Sequence, residues 1–149
     1  MSKSYVSNYV HFTWSTKHRE RILTFDIINE MREELFRIAA EKSFWIDIFN
    51  GVPDHVHALV ALKATQSIAW AAQQMKGITS YWINTQNQIS GDFRWQNGYG
   101  GFSVSRWDVE MVREYIRRQP EHHSVMNYEQ ELDVLMGCDK TLLKRNVNP

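Results

Sequence analysis

Two histidines separated by one residue, His55 and His57, stand at the start of an apolar run and are the first candidates for chemistry. In a β-strand, side chains two residues apart lie on the same face, so both imidazoles would point the same way with α-carbons roughly 6 to 7 Å apart. That spacing allows both to bind one metal ion. The alternative is that each is a polar residue satisfied by hydrogen bonds in the core or at a strand end, so the pair alone does not assign a site.

A tyrosine and a glutamine, Tyr115 and Gln119, form a second candidate pair, because a spacing of four stacks their side chains about 6 Å apart on one face of a helix. A tyrosine nucleophile needs assistance, since its unperturbed pKa of about 10 leaves on the order of a thousandth ionised at neutral pH. A metal ion or nearby cations would supply it, and Arg113, Arg117 and Arg118 surround the tyrosine. Two imidazoles and an amide oxygen would leave coordination positions open for a phosphate oxygen. The alternative is a packing tyrosine and a solvated glutamine.

The length and composition indicate one globular domain over residues 1–149, with a short polar tail from about residue 139. Seventeen basic and seventeen acidic residues give a net charge of zero, so a nucleic-acid site would have to be a local patch. The single cysteine, Cys138, excludes an intramolecular disulfide and fits a reducing compartment. With neither a signal-peptide pattern nor an apolar run near eighteen residues, the sequence predicts a cytoplasmic protein without a membrane span.

Four strands are predicted from aromatic and β-branched runs, and the histidine pair belongs to the third. Apart from His57, residues 56–62 are Val, Ala and Leu on both side-chain parities, which is typical of a central strand covered on both faces. A turn around Gly51 and Pro53 would join this strand to the preceding one in an antiparallel hairpin. The other predicted strands are residues 5–14, 44–50 and 102–105.

Four helices are predicted from apolar residues that recur at steps of three and four. They would pack their apolar stripes on the sheet. The predicted helices are residues 25 to about 42 with Thr24 as N-cap and Phe25 in the apolar stripe, 68 to about 87 with Ser67 as N-cap, 109 to about 119 with Asp108 as N-cap and Pro120 as the stop, and 124–136.

Two further segments are candidates for contact with a nucleic acid. The basic stretch at residues 17–21 contains Lys17, Arg19 and Arg21, which would bind phosphates, and its alternative is a solvated loop. Residues 88–101 interleave glycines and aromatic rings around Arg94, which would suit stacking on bases; the alternative is an edge segment whose rings cover the core. Aromatic residues make up 13% of the chain, which favours some rings at the surface for stacking or for a subunit interface.

Three motifs resemble one known family. Residues 54–57 (DHVH) resemble the HUH motif, and residues 115–123 (YIRRQPEHH) resemble the catalytic-helix segment of the single-tyrosine HUH transposases, the insertion-sequence-200-type enzymes. Residues 95–105 (WQNGYGGFSVS) resemble that family's glycine-aromatic segment. The motifs occur in the family's order, and the resemblance covers roughly residues 5–135.

The resemblance implies an α/β (α+β) single domain with a mainly antiparallel, ferredoxin-like or RRM-like sheet and helices packed on it. It implies a homodimeric, metal-dependent endonuclease and strand transferase that cuts single-stranded DNA at hairpin-marked insertion-sequence ends through a 5′-phosphotyrosine. By residue, it implies Tyr115 as nucleophile, His55, His57 and Gln119 as ligands of Mg²⁺ or Mn²⁺, and a supporting or turn role for Asp54. In this family the catalytic helix docks in cis or in trans.

Two other functions stay open at this point. One is a catalytically silent regulator that binds single-stranded nucleic acid with the same fold. The other is a metal hydrolase in which the histidine pair acts with His122 or His123 and an activated water, although a structural role is favoured for those two histidines. A covalent protein–DNA adduct would separate the transposase from both.

Overall fold

A four-stranded antiparallel sheet forms the centre of the fold in the computed structural model, which describes residues 2–86, 89–122 and 126–138. The strands are β1 (Tyr9–Ser15), β2 (Trp45–Val52), β3 (His55–Ala61) and β4 (Gly100–Val104). Their order across the sheet is β2-β3-β1-β4, and every neighbouring pair is antiparallel. The histidine strand is therefore an interior strand, as predicted.

Helices follow or connect the strands and complete the predicted mixed α/β architecture. Thr24 and Ser67 cap their helices as predicted, each accepting a hydrogen bond from the backbone N–H three residues on. The helices are α1 (Phe25–Glu41), α2 (Ile68–Thr85), α3 (Val109–Arg117), α4 (Gln119–His122) and α5 (Tyr128–Asp133), with 3₁₀ turns at Lys17–Arg19 and Arg106–Asp108 and a π-helical turn at Val134–Cys138.

Several predicted boundaries differ from the structure. The first strand begins at Tyr9, four residues later than predicted, and the last strand is Gly100–Val104. Helix α3 ends at Arg117 because Arg118 leaves the helical conformation, so Pro120 does not stop it. Pro120 lies instead in the first turn of α4, where a proline's missing N–H costs no hydrogen bond.

Two predicted local roles and one helix boundary also need correction. Asp108 occupies the N-cap position of α3, but its carboxylate accepts a hydrogen bond from Ser105 Oγ and makes no capping bond. Phe25 is 76% exposed and does not belong to the buried stripe of α1. The last helix begins only at Tyr128, where Asn127 forms a capping box, and residues 123–125 lie outside the described part of the chain.

The two faces of the sheet carry different layers. Alternate residues of β3, among them Val56, Ala58 and Val60, face the main hydrophobic core, which α1 and α2 complete. On the opposite face Leu59 packs with Val112 and other apolar residues of α3. Because side chains alternate along a strand, His55 and His57 share the face that bears α3.

Polar contacts fix the position of α3 on the sheet. Asn50 Nδ2 donates hydrogen bonds to the carbonyl oxygens of two consecutive residues at the end of α3, at 3.1 and 3.0 Å. Arg32 holds this asparagine by donating from Nη2 to its Oδ1 at 3.0 Å. Arg113 forms a two-pronged ion pair with Asp47 of β2, at 2.7 and 2.8 Å. Two residues of the edge strand β2, Asn50 and Asp47, thus hold α3 on the sheet.

Within the described ranges, no helix is both long and apolar enough to cross a lipid bilayer.

We expect Asn50→Ala to lower the free energy of unfolding by about 1–3 kcal/mol, because two carbonyls at the end of α3 and Arg32 lose a partner in a partly buried setting. Urea denaturation followed by circular dichroism measures this. Asn8→Ala is the matched control, since Asn8 is exposed just before β1, and it should change the stability by less than about 0.5 kcal/mol. Equal effects of the two substitutions would contradict the assignment of Asn50 as the tether.

Candidate metal centre

His55 and His57 lie side by side on the α3 face of the sheet, fully buried, with ring centroids 5.1 Å apart. Each imidazole is held through its Nδ1 atom. His55 Nδ1 lies 2.8 Å from Asp54 Oδ1, and His57 Nδ1 lies 2.8 Å from Nε2 of His11 on the neighbouring strand. Such contacts set the ring orientation of metal-binding histidines and leave Nε2 as the atom that binds the metal.

The two Nε2 atoms converge on a carboxylate that comes from α5. Glu131 Oε1 lies 3.0 Å from Nε2 of His55 and 2.6 Å from Nε2 of His57, and the glutamate side chain is fully buried. One donor atom from each of the three residues lies within 4.8 Å of the others. Side chains of these types at this spacing are able to hold a metal ion, and the sequence analysis did not anticipate the carboxylate.

Gln119, the amide ligand implied by the sequence, belongs to the same cluster. Its side chain is fully buried, and Nε2 donates a hydrogen bond to Glu131 Oε2 at 3.2 Å. Its Oε1 atom is also buried and accepts no hydrogen bond from any residue in the described ranges. An amide oxygen without a donor, beside two imidazoles and a carboxylate, fits a bound cation.

Tyr115 lies directly against the histidines. Its ring centroid is 5.9 Å from that of His57, edge to face, and 6.0 Å from that of His11. Only 1% of the tyrosine is exposed. Burial, and next the negative charge of Glu131, raise the pKa of the phenol well above its ordinary value, so the resting side chain is neutral.

Burial and the carboxylate set the charges of the other groups. Burial lowers the pKa of His57 and outweighs the opposing charge of Glu131. Burial also lowers the pKa of His11, and the neighbouring His57 lowers it further. For Glu131, burial alone would raise the pKa, but the two imidazoles bonded to it bring the pKa far below the usual range. For His55, burial is outweighed by Asp54 and Glu131, which raise its pKa.

Helix α5 covers the histidines. The ring of Tyr128 lies 4.4 Å from the ring of His55, and the Tyr128 hydroxyl is 3.5 Å from Thr13 Oγ1. On the outer side of this helix, Glu129 forms an ion pair with Arg19. Helix α5 therefore closes the candidate metal centre.

The three arginines near Tyr115 that were predicted to contact DNA all form ion pairs with carboxylates. Arg113 is the most constrained, because it binds Asp47 as well as a carboxylate on its own helix. Arg117 and Arg118 each pair with a glutamate three residues away. Their helical partners are Glu110, Glu114 and Glu121 for Arg113, Arg117 and Arg118 respectively.

The remaining predicted DNA contacts lie together in a different place. Lys17 and Arg19 form a 3₁₀ turn after β1, followed by Arg21, and the backbone N–H of Lys17 donates to the carbonyl oxygen of Arg94 at 3.1 Å. The Arg94 side chain is exposed and pairs with Asp92. Two sequence segments predicted independently as basic contacts are therefore neighbours at the surface.

Two residues of the site, His11 and Glu131, were missed by the sequence analysis, although each had a signal. His11 has the same strand parity as Thr13, so antiparallel pairing with the histidine strand brings it to the same face. Glu131 is three residues after Tyr128, on the apolar stripe of the last helix, where an acidic residue needs a partner. Of the alternative ligands, His123 lies outside the described residues, and His122 is the last residue of α4.

The chain is similar to proteins of a known family. The family model described as "Transposase IS200 like" matches residues 4–119. Among characterised relatives, ISDra2 transposase TnpA of Deinococcus radiodurans is 24% identical over 114 residues, which cover 73% of this chain and 81% of the relative.

Two solved structures share the fold. One is the crystal structure of a candidate transposase from Deinococcus radiodurans R1, with a TM-score of 0.62 and 22% identity over 80% of this chain and 96% of that one. The other is a REP-associated tyrosine transposase bound to a REP hairpin, with a TM-score of 0.60 and 16% identity over 85% of this chain and 74% of that one.

We expect His11→Asn to weaken Mn²⁺ binding by roughly tenfold, because His57 loses the partner that orients its ring. Isothermal titration calorimetry of the purified protein measures the dissociation constant. His18→Asn is the matched control, since His18 is exposed and asparagine tolerates its positive φ of 58°. An unchanged Mn²⁺ affinity in the His11 variant would show that His57 is oriented without it.

Proposed function

The chain belongs to the IS200-like transposase family, and from this premise we propose that it cuts and rejoins single-stranded DNA at hairpin-marked insertion-sequence ends through a 5′-phosphotyrosine at Tyr115. Family membership makes it a transposase, an enzyme that acts on DNA. The observation that carries the proposed mechanism is the contact of the Tyr115 ring with His57, at 5.9 Å between centroids, beside the buried Gln119. Tyr115 would supply the nucleophilic oxygen. His57 would supply an imidazole nitrogen as a metal ligand, and Gln119 an amide oxygen.

The proposed reaction is a transesterification at one phosphodiester. The Tyr115 oxygen attacks phosphorus, a tyrosine O–P bond forms, and the bond from phosphorus to the 3′ oxygen breaks. The phenol proton is balanced by the proton that the leaving 3′ oxygen gains, so the products are a 5′-phosphotyrosine and a free 3′-hydroxyl. One phosphodiester replaces another. A 3′-hydroxyl can therefore reverse the step and join strands without an external energy source.

We propose that His55, His57 and Gln119 hold a divalent cation, Mg²⁺ or Mn²⁺. When bound, such an ion neutralises charge on a phosphate oxygen and on the leaving oxygen. Asp54 and His11 keep the two imidazoles oriented through their Nδ1 atoms. Burial raises the pKa of Tyr115, so its phenol is neutral before the ion and the DNA bind.

The cations best placed to contact the DNA backbone are those of residues 17–21, together with Arg94. Lys17 and Arg21 form no ion pair with any residue of the described ranges, and Arg19 lies next to the helix that closes the metal centre. Arg113, Arg117 and Arg118 remain candidates whose existing ion pairs reduce the gain from binding a phosphate. The similar REP-associated transposase is bound to a REP hairpin, which supports a hairpin DNA as the partner.

We further propose that the whole chain, residues 1–149, forms one domain and that two copies associate as a homodimer. Large aromatic side chains stay exposed on the single chain, which favours a subunit interface. The most exposed are Tyr5 (91%), Trp107 (84%), Phe25 (76%), Tyr81 (72%) and Trp45 (65%). In such a dimer, Tyr115 of α3 would act at the metal centre of its own chain or at that of the partner. Sedimentation velocity would measure whether the dimer forms.

A metal hydrolase is the second candidate function, and one observation favours it. Two histidines and a glutamate, as found here in His55, His57 and Glu131, also form the ligand set of hydrolytic zinc sites. In that case an activated water would attack the phosphodiester, and Tyr115 would only pack against the site.

Tyr115→Phe should abolish both DNA cleavage and the covalent adduct, because it removes the nucleophilic oxygen and keeps the ring that packs on His57. The assay incubates the protein with single-stranded oligonucleotides from the element's own ends and Mg²⁺ or Mn²⁺, followed by a denaturing gel. Binding of the same oligonucleotide should stay within about twofold of wild type. Tyr81→Phe, an exposed tyrosine, is the matched control and should cleave normally.

Two treatments extend this assay. EDTA should stop wild-type cleavage, and added Mg²⁺ or Mn²⁺ should restore it; His57→Ala should cleave orders of magnitude more slowly and respond poorly to the added ion. If Tyr115→Phe still cuts at the wild-type rate and forms no adduct, water is the nucleophile and the hydrolase replaces the transposase mechanism. Binding without any cleavage by the wild-type protein would favour the silent regulator.

The combined variant Lys17→Ala/Arg19→Ala/Arg21→Ala should weaken binding of single-stranded DNA and flatten its salt dependence by roughly 0.7 log–log units for each side chain that binds a phosphate in the wild type. Fluorescence anisotropy across a salt series measures both quantities. The control variant Arg37→Ala/Lys42→Ala/Lys63→Ala removes the same charge from exposed positions elsewhere. If both variants bind alike, the basic stretch is only a solvated loop.

A further inference from the structure

We propose that Glu131 is a ligand of the catalytic ion, so that the C-terminal helix α5 is a working part of the metal centre. This rests on the proposed function, because it concerns the same ion. The ligands would then come from three elements: the histidine pair from β3, Gln119 from α4 and Glu131 from α5. Neither the three-ligand set implied by the sequence nor the matched family range of residues 4–119 includes this glutamate.

The geometry of the carboxylate carries the inference. Adjacent ligand atoms on an octahedral ion, each bound at about 2.1 Å, are roughly 3 Å apart. Glu131 Oε1 lies at 3.0 and 2.6 Å from the Nε2 atoms of His55 and His57, so these three donor atoms are already spaced like neighbouring ligands of one ion. The Gln119 amide lies beside them, with its Nε2 donating to Glu131 Oε2 at 3.2 Å.

The burial of Glu131 also favours a bound cation next to it. The carboxylate is fully buried, and a buried anion is costly unless a positive charge balances it. Among residues 2–86, 89–122 and 126–138, no lysine or arginine forms an ion pair with it; its partners include the two histidines and the Gln119 amide. A divalent ion between the carboxylate and the imidazoles would balance its charge and leave both imidazoles neutral, the form that binds a metal through Nε2.

Four protein ligands have a consequence for the reaction. They would fill a tetrahedral Zn²⁺ site but leave two positions on an octahedral Mg²⁺ or Mn²⁺ for oxygens of the DNA phosphate or for water. A carboxylate also favours these hard cations more than imidazole and amide ligands alone. Glu131 would therefore both strengthen binding and favour an ion that still accepts substrate.

The alternative is that Glu131 only holds α5 on the sheet by accepting N–H bonds from the histidines. The two roles differ in what a conservative substitution does. Glu131→Gln keeps the side-chain length, and its amide oxygen can still accept from an imidazole N–H, so the fold is retained. It removes the negative charge that a cation would bind. The same change at Glu129, which pairs with Arg19 on the exposed side of α5, provides the matched control.

The experiment titrates Mn²⁺ into the full-length protein without DNA and follows the loss of the free-ion signal by electron paramagnetic resonance. Wild type, Glu131→Gln, Glu129→Gln and His57→Ala are compared, with circular dichroism and thermal melting in EDTA as a check on folding. We expect Glu131→Gln to raise the dissociation constant by roughly tenfold or more, Glu129→Gln to leave it within about twofold, and His57→Ala to lose binding.

The possible outcomes separate this inference from the proposed function. If Glu131→Gln melts at a lower temperature in EDTA but binds Mn²⁺ like wild type, while His57→Ala does not bind, Glu131 is only a structural contact and the inference is wrong, whereas the metal role of the histidines stands. If wild type and His57→Ala bind Mn²⁺ equally, the ion does not use the histidines and both proposals fail. A selective loss in Glu131→Gln supports the inference.

Discussion

The pairing register between β1 and β3 is the constraint on which the candidate site depends. It sets Thr13 opposite His57 and Leu59 opposite His11, so that both imidazoles fall on one face as diagonal neighbours. A slip of one residue would turn every side chain of a strand to the other face and bring the histidines into the apolar core under α1 and α2. Such a slip would also remove Val56 from that core, which disfavours it. The alternation of apolar and histidine side chains along β3 therefore stabilises the sheet and also fixes the position of the site.

The polar cluster built on this register joins elements that are far apart in the sequence. A continuous chain of contacts runs from Asp54 through His55, Glu131 and His57 to His11. Each member forms a hydrogen bond with its neighbour in a buried region of low dielectric constant. Such a network stabilises the fold when every hydrogen bond is made and destabilises it when a buried group loses its partner. The network thus orients the histidines before any substrate is bound, and it includes the helix that covers them.

The sequence predicted what depends on local pattern and missed what depends on tertiary contact. The strand character and shared face of the histidines follow from a period of two, and the caps of α1 and α2 follow from Thr24 and Ser67, as the structure confirms. The partner of Glu131 is 76 residues away and that of Arg113 is 66 residues away. Periodicity carries no information on pairs at such distances, so an acidic residue on an apolar stripe could be noticed but not assigned.

Closure of the site limits how DNA can enter it. A phosphodiester cannot approach the oxygen of Tyr115 while only 1% of that residue is exposed, so the proposed cleavage requires α5 or α3 to move. Helix α3 is tied to the sheet edge by Asn50 and by the ion pair of Arg113 with Asp47, whereas the outer side of α5 is tied to the body by an exposed ion pair with Arg19. Exposed pairs contribute little, and a DNA phosphate competes for the same arginine. On its inner side α5 is held by buried Glu131, which contacts both histidines and Gln119, so a DNA phosphate that binds Arg19 would release only the outer side of this helix. The basic stretch that would bind the DNA backbone is thus also the one that holds the outer side of α5.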